Sequence, residues 1–550
     1  MTPDLEAKDV ANQSPPYHSR NLFVEDRVLR SCLDGVVNGK TEQGLAATGA
    51  FWGASEAAEL ARLANTNPPR LKTHDPQGRR IDQVEFHPAY HAIMRRSVDA
   101  GLHCSVWEKN GAEKKNSAHQ IRAARLFLTA QTECGHICPM TMTNASLAGL
   151  SKSSVLEKEW APLIKSRKYD NRFLAPDKKL GVTLGMGMTE KQGGTDVKSA
   201  ITRAEKSGDD DLWHISGHKW FFSAPMSDAF LILAQTKVGL SCFLTPRLLP
   251  DGSVNSVRLQ RLKEKLGNRS NASAEVEFEQ AAGHLVGEDG KGIQTIIEMV
   301  TLTRLDCALA SAGLMRSALG QAVHHCRHRS VFGKKLVAQP IMARLLADMS
   351  LDVAAATALA MRVARAFDNR QDSDAEAAFA RLVTPAAKYW ICKSAPGLIY
   401  EAMECHGGNG YSEEFDVARL YREAPVNAIW EGSGNVMALD VLRVLEKHAD
   451  ALDLVIDEIK ADLGASSVMA IDRLRKTAEA CSSDPGLARQ LCEELAIVVS
   501  AACLRHTAPR EFADAFLESR LTGRWRSTYG MLEGKVDDSA LVDFAYPSES

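Results

Sequence analysis

The chain has 550 residues, 45% hydrophobic and 25% charged, with a formal net charge of −3. That length exceeds what one core serves and predicts two to four packed units of an ordinary globular protein. The near balance of charge does not imply a bulk electrostatic surface for nucleic acid, though it leaves room for a local patch, and no run of 18 apolar residues offers a membrane span.

The longest apolar candidate, AAATALAMRVARA, is broken by Arg362 and Arg365. The first twenty residues carry only Lys8 and Arg20 as cations and no apolar segment. The final PSES is not a peroxisomal tripeptide, so a cytoplasmic protein is expected. Twelve scattered Cys show no disulfide-like framework, and reduced thiols are expected.

Residues 1–180 read as a helical unit. HQIRAARLFLTAQTECG has apolar residues at helical period and is expected to stay helical to Gly135. NTNPPR and LAPDKKLG punctuate the unit as loops. In CGHIC, Cys134 and Cys138 are expected one helical turn apart with His136 between them. No second ligand pair follows at zinc spacing, so helix packing is the reading and no metal is expected.

Residues 181–290 change texture. DLWHISGHKWFFS, DAFLILAQT, LSCFLTPR and ASAEVEFEQ are short runs rich in β-branched and aromatic residues. Val276 and Phe278 alternate with Glu275 and Glu277. No helix-length segment separates the runs, which predicts an antiparallel β-domain and not a βαβ sheet. GMGMTEKQGGTDV, residues 185–197, leaves backbone N–H groups open to an anion or a flat ring, with Thr189 and Thr195 as hydroxyl donors. A dinucleotide fingerprint fails there, because Glu190 stands where the third glycine belongs. A plain glycine-rich turn is the competing reading.

Helices return over 291–447. GKGIQTIIEMVTLTRLDCALASAGLMRSALGQAVHHCRHR is one long candidate. A second opens at Pro340, and a third runs into the glycines of CHGGNG. Short loops between long helices predict a bundle. His324, His325 and His328 read as a polar helix face. Residues 448–550 add a helical extension with Leu452, Val455, Ile456, Ile459 and Leu463 on one stripe, and with LAIVVSAACL largely buried. In AIWEGSGNV, Glu431 precedes Gly-Ser-Gly and a helix. It is either a solvated helix-entry carboxylate or a base.

The motifs MGMTEKQGGTDV, HKWFFSAP, KLGNRSNASAEVEFE, GEDGKG, RSVFGKKL, GGNGY and IWEGSGN follow in this order between about 180 and 445. Together they resemble the acyl-CoA dehydrogenase superfamily, and more narrowly the AidB-type branch of adaptive alkylation-response flavoproteins. The resemblance implies an α+β multi-domain fold: an N-terminal α-helical domain, a central antiparallel β-barrel, and a C-terminal helical bundle with its extension. It also implies FAD, held by Met186, Met188, Thr189, Gly194 and Thr195 of the glycine-rich turn and by Trp220, Phe221 and Phe222 of KWFF. Phe222 stands where many relatives carry a Thr, so one hydroxyl donor is lost.

Arg329 and Phe332 of RSVFG, Gln339, and Glu404, Gly407 and Gly408 of ECHGGNG are carried over as contacts to the FAD of a neighbouring subunit. Glu404 replaces the usual Gln. A dimer of dimers is implied. Glu431 takes the position of the base that removes a proton beside a thioester carbonyl, a task suited to a desolvated carboxylate. Ser433 and Asn435 follow at flavin-contacting positions, and Arg304 supports the site. Thr303 occupies the alternative base position of some relatives and cannot serve as one. Asp306 is a weaker site candidate.

The leading expectation is an FAD-dependent acyl-CoA dehydrogenase that passes electrons to an acceptor such as an electron-transfer flavoprotein. Two others compete: a DNA-binding, alkylation-protecting flavoprotein with little turnover, and an acyl-CoA-binding regulator. Residues 451–550 hold 11 Lys and Arg against 17 Asp and Glu, a poor partner for a polyanion. Arg520, Arg524 and Arg526 form the one candidate basic spot there.

Overall fold

The computed structural model describes residues 12–108, 117–208, 211–463, 467–521 and 537–547. Its N-terminal helices include Gly39–Trp52, capped by the Asn38 side chain, and Pro88–Asp99, with its proline in the first turn. Two features depart from the sequence reading. A hairpin, Arg70–His74 with Arg80–Glu85, interrupts the helical unit, and its Leu71 and Val84 pack against the hydrophobic cluster of the barrel. The helix expected to reach Gly135 ends at Ala130, and a new one, Ile137–Leu150, begins after a turn. The Glu133 carboxylate accepts the Gly135 and His136 N–H groups, giving the backbone an alternative to continued helix. Cys134 therefore sits in the turn and Cys138 in the next helix.

Seven strands between Leu184 and Val286 make the central sheet. Ala229–Gln235 pairs with Leu240–Pro246, which pairs with Ser273–Val286, which pairs with Leu212–Ser223. Leu212–Ser223 pairs with Arg203–Lys206, which returns to Ala229–Gln235, so the sheet closes into a barrel. Leu184–Gly187 and Arg203–Lys206 run parallel to Ala229–Gln235; the other pairings are antiparallel. Phe222, Phe230, Phe243, Val276 and Phe278 fill the interior.

Three long helices, Gly292–His328, Pro340–Asn369 and Asp374–Cys405, build the bundle with Asp416–Asn427 and Gly434–Lys447. Arg122 joins the N-terminal unit to the bundle through two 2.7 Å bonds to Asp306, which gives that aspartate a structural role. The extension packs on the outer side of the bundle. Helix Ala488–Thr507 buries nearly every residue from Leu491 to Leu504. Trp390 of the bundle meets Phe516 edge-on at 5.8 Å, and Arg489 donates to the Tyr389 hydroxyl at 3.1 Å. Arg520 is not part of a basic spot: it is buried and paired with Asp348 at 2.7 Å and Asp352 at 2.9 Å. Arg524 and Arg526 lie outside the described residues. No described helix is long and apolar enough to cross a membrane.

Candidate active site

Helix Asp416–Asn427 ends at a short turn, and the chain then places Glu431 at φ +57° and Gly432 at φ +102° before helix Gly434–Lys447 starts. A non-glycine residue at positive φ persists only where its surroundings hold it. Here three successive carbonyls are held. The buried Lys388 ammonium donates to Trp430 O at 2.9 Å and Gly432 O at 2.7 Å, and Arg304 Nε donates to Glu431 O at 3.1 Å. Arg304 is fixed in turn by Asp440 at 2.7 Å, which also takes both terminal nitrogens of Arg381 at 3.0 Å.

The half-buried Glu431 carboxylate accepts from the Thr303 hydroxyl at 2.7 Å, and its backbone N–H has no hydrogen-bond partner among the described residues. Thr303 has one proton, shared between Val300 O at 2.9 Å and the closer, charge-assisted carboxylate. Lys388→Met removes two charge-assisted bonds from the backbone that aims Glu431. If Glu431 is the base that the resemblance implies, a fall of about 10- to 100-fold in the rate of its reaction is expected, measured in a stopped-flow instrument.

The glycine-rich turn is organised around Glu190, the residue that breaks the dinucleotide fingerprint. Its buried carboxylate bonds to the Lys219 ammonium at 2.7 Å and accepts the Ile201 and Thr202 N–H groups. Burial drives this carboxyl up, and the Lys219 bond and charge more than reverse that, leaving it at about 2. Next to this anchor, Trp220 N–H donates to Thr189 O at 2.9 Å, so the two residues sit side by side on the rim. A Cβ at Gly194 would lie 2.4 Å from the Thr189 hydroxyl oxygen, so Thr189 packs directly on that glycine. Met186 is buried, Met188 and Trp220 are half-buried, and Thr195 and Phe221 are exposed. Lys263 Nζ stands 3.4 Å from the Trp220 ring centroid.

Phe222 is not on this rim. It is fully buried in the barrel, 4.5 Å from the Phe230 ring, because the register of its strand shifts between Lys219 and Phe222. Expected as a flavin contact, its side chain belongs to the barrel core.

Arg329, Phe332, Gln339, Glu404, Gly407 and Gly408 lie at one end of the bundle, apart from the Glu431 loop. The hairpin Ser330–Val331 with Lys334–Lys335 carries Phe332 94% exposed at its tip. Arg329 donates to Asn12 O at 2.8 Å, Gln339 to Val331 O at 2.9 Å, and the Tyr400 hydroxyl to Glu404 at 3.2 Å. A Cβ at Gly407 or Gly408 would meet no atom of the described residues within 4 Å, so among them this surface is open. Ser433 and Asn435 are exposed, and Asn435 faces Arg489 of the extension at 3.5 Å. Among the described residues no three His, Cys, Asp or Glu gather as metal ligands.

The sequence reading missed a buried polar cluster behind Glu431. Cys138, pushed up to about 12 chiefly by burial, faces Lys265, Glu431, Ser223 and Asn271. Further in, His136 bridges Glu133 at 2.5 Å and Ser97 at 2.7 Å. That order of groups mimics a nucleophile triad, but all three side chains are buried and Glu133 also holds Ser270 at 2.6 Å, so the set ties domains together. The Glu-x-x-His spacing of TECGH was the available signal.

Glu423, also buried, accepts the Asn268 N–H at 2.9 Å. Burial, with the charge of Glu133 adding and Arg419 opposing, lifts its carboxyl to about 7. A carboxyl raised on folding contributes stability that is complete below its ordinary value near 4.5 and is lost as pH climbs through 7. Glu423→Gln should therefore gain on the wild type by on the order of 2–3 kcal/mol between those pH values, followed as paired thermal melts.

Comparison with known proteins agrees with this architecture. Residues 12–171 match the adaptive response protein AidB N-terminal domain, 185–281 the acyl-CoA dehydrogenase middle domain, and 290–446 the acyl-CoA dehydrogenase C-terminal domain. The chain is 49% identical over 447 residues to the putative acyl-CoA dehydrogenase AidB of Escherichia coli, spanning 81% of this chain and 82% of that one. It is 31% identical over 442 residues to acyl-CoA dehydrogenase family member 11 of Caenorhabditis elegans, spanning 78% and 70%. The crystal structure of Caenorhabditis elegans ACDH-11 in complex with C11-CoA superposes with a TM-score of 0.85 at 27% identity, covering 96% of this chain and 95% of that one. The chain belongs to the acyl-CoA dehydrogenase family, whose members are flavoprotein oxidoreductases, and within it to the branch with an AidB N-terminal domain.

Proposed function

We propose that this chain oxidises the bond between the α and β carbons of an acyl-CoA thioester, with FAD as cofactor and Glu431 as the base. The observation that carries this reading is the clamped loop. Three carbonyls point to Lys388 and Arg304, while the Glu431 N–H and one carboxylate oxygen are left for a ligand.

The residues present fit FAD. Thr189 and Trp220 form a rigid rim, Thr195 adds an exposed hydroxyl, and Arg329 with the bare backbone at Gly407 and Gly408 suits a diphosphate-bearing nucleotide. When bound, FAD supplies the acceptor for the hydride that leaves the β carbon. The chain does the rest. Glu431 takes the α proton on the oxygen not engaged by Thr303, and the Glu431 N–H polarises the thioester carbonyl as negative charge builds there. Lys388 and Arg304 hold the loop so that neither group reorganises during the step.

The proposal includes a dimer of dimers, since the exposed Phe332 at the hairpin tip and the open glycines suit service to another copy, and an electron acceptor of the electron-transfer flavoprotein kind. The test mixes FAD-loaded protein anaerobically with acyl-CoAs of several chain lengths. Loss of the yellow absorbance with at least one of them is the expected result. Retention of colour with every thioester overturns the reading.

A further inference from the structure

We propose that Asn271 contacts the ligand in this site, its carboxamide bonding to the pyrimidine edge of the isoalloxazine ring. This rests on the FAD reading above.

Asn271 is 1% exposed, yet its Oδ1 and Nδ2 find no hydrogen-bond partner among the described residues beyond a weak contact to the Cys138 thiol. A buried carboxamide left unsatisfied is destabilising, and native proteins tolerate it where something else completes the bonds. Looseness of the backbone does not account for it, because the loop is latched on three sides. A Cβ on Gly267 would lie 2.1 Å from Arg422 O, so only glycine fits against that helix. The Asn268 N–H bonds to Glu423, the Ser270 N–H to Asn65 at 3.2 Å, and the Ser270 hydroxyl to Glu133. Lys265 Nζ closes the loop on itself, donating to Asn271 O at 2.7 Å, Ser273 Oγ at 3.1 Å and Asn268 Oδ1 at 3.2 Å. Every latch leaves the Asn271 side chain alone.

Its surroundings place it in the site. The Cys138 thiol, a weak acceptor, faces both Asn271 and Ser223, and the same thiol faces Glu431. Ser223 lies three residues beyond Trp220 on the strand Leu212–Ser223. The carboxamide thus stands on the wall between the Trp220 rim and the Glu431 loop. It presents one donor beside one acceptor. The complementary partner is a ring edge with a carbonyl next to an N–H, which the pyrimidine end of an isoalloxazine supplies. A thioester carbonyl would satisfy the nitrogen and leave the oxygen orphaned.

The test compares wild type, Asn271→Leu and Asn271→Asp after FAD removal, titrating FAD back and following its fluorescence. Asn271→Asp keeps the shape and cannot donate. Both variants should bind FAD about tenfold more weakly or worse, with a displaced flavin absorption band. The apoprotein of Asn271→Leu should melt no lower than wild type, since only a weak contact to a thiol is lost; a purely structural Asn271 predicts a lower melt. If leucine does not fit, Asn271→Ser gives the same readout without bulk. Unchanged FAD affinity in the variants, including one that has lost acyl-CoA-driven bleaching alone, overturns the assignment. Failure of the wild-type chain to take up FAD overturns the reading beneath it, and this one with it.

Discussion

Glu431→Gln is expected to slow acyl-CoA-driven bleaching by about 100- to 10,000-fold, the range a general base contributes. The substitution isolates the base because little else changes. Glutamine has the shape of glutamate, and its carbonyl oxygen still accepts from Thr303. The loop is held by its own carbonyls through Lys388 and Arg304, and none of those bonds involves the side chain. FAD affinity should stay at the wild-type value, so the loss falls on the chemical step. Single-turnover mixing reads that step directly. A rate within threefold of wild type would show that another group takes the proton. Glu431→Asp, which keeps the carboxylate but withdraws it by one methylene, should fall between the two.

Lys219→Met should lower unfolding free energy by about 3–5 kcal/mol, the effect of stranding one member of a buried pair. Lys219 and Glu190 are both buried, and the ammonium also donates to Leu233 O at 2.8 Å. Methionine fills the volume and leaves Glu190 a charge without a cation. Removing both charges together, as Lys219→Met with Glu190→Gln, should recover much of the loss, because the desolvation penalty then goes with them. The sign with pH follows from Glu190. Its folded value near 2 lies below the ordinary 4.5, so the stability it confers is present above about 4.5 and is lost as pH falls through 2. The gap between wild type and Lys219→Met should close over that window. Denaturant titrations check both claims, and a single-variant loss under 1 kcal/mol would show the pair to be incidental.

The sequence carried the layer order because hydrophobic periodicity changes where helix gives way to strand and back. The long helices Gly292–His328, Pro340–Asn369 and Asp374–Cys405 announced themselves through apolar repeats and flanking glycine and proline. What it hid were properties set by partners far along the chain. Lys388 is a lone cation in an apolar stretch, and its partners are backbone carbonyls, which have no residue identity to read. Arg520 looked like surface charge, and its fate was decided by two aspartates about 170 positions earlier. Phe222 was assigned by resemblance, which carries no register: a bulge shifts the inward and outward phase of its strand and turns its side chain into the barrel. The hairpin Arg70–Glu85 escaped because its strands are short and it is half-buried against the barrel rather than in a sheet of its own.

The last hundred residues brace the bundle. With Phe516 seated on Trp390, Arg489 on Tyr389, and Arg520 neutralising two interior aspartates, this region works as an outer wall for the helix that carries Lys388. Clipping the chain near 448 would bare Tyr389 and Trp390 on that helix, take the Arg520 cation from Asp348 and Asp352 of the neighbouring helix Pro340–Asn369, and disturb the loop that Lys388 steadies. A role in gripping nucleic acid or any other large partner therefore has to be probed by exchanging single surface side chains, since a shortened polypeptide would confuse a lost contact with a damaged catalyst.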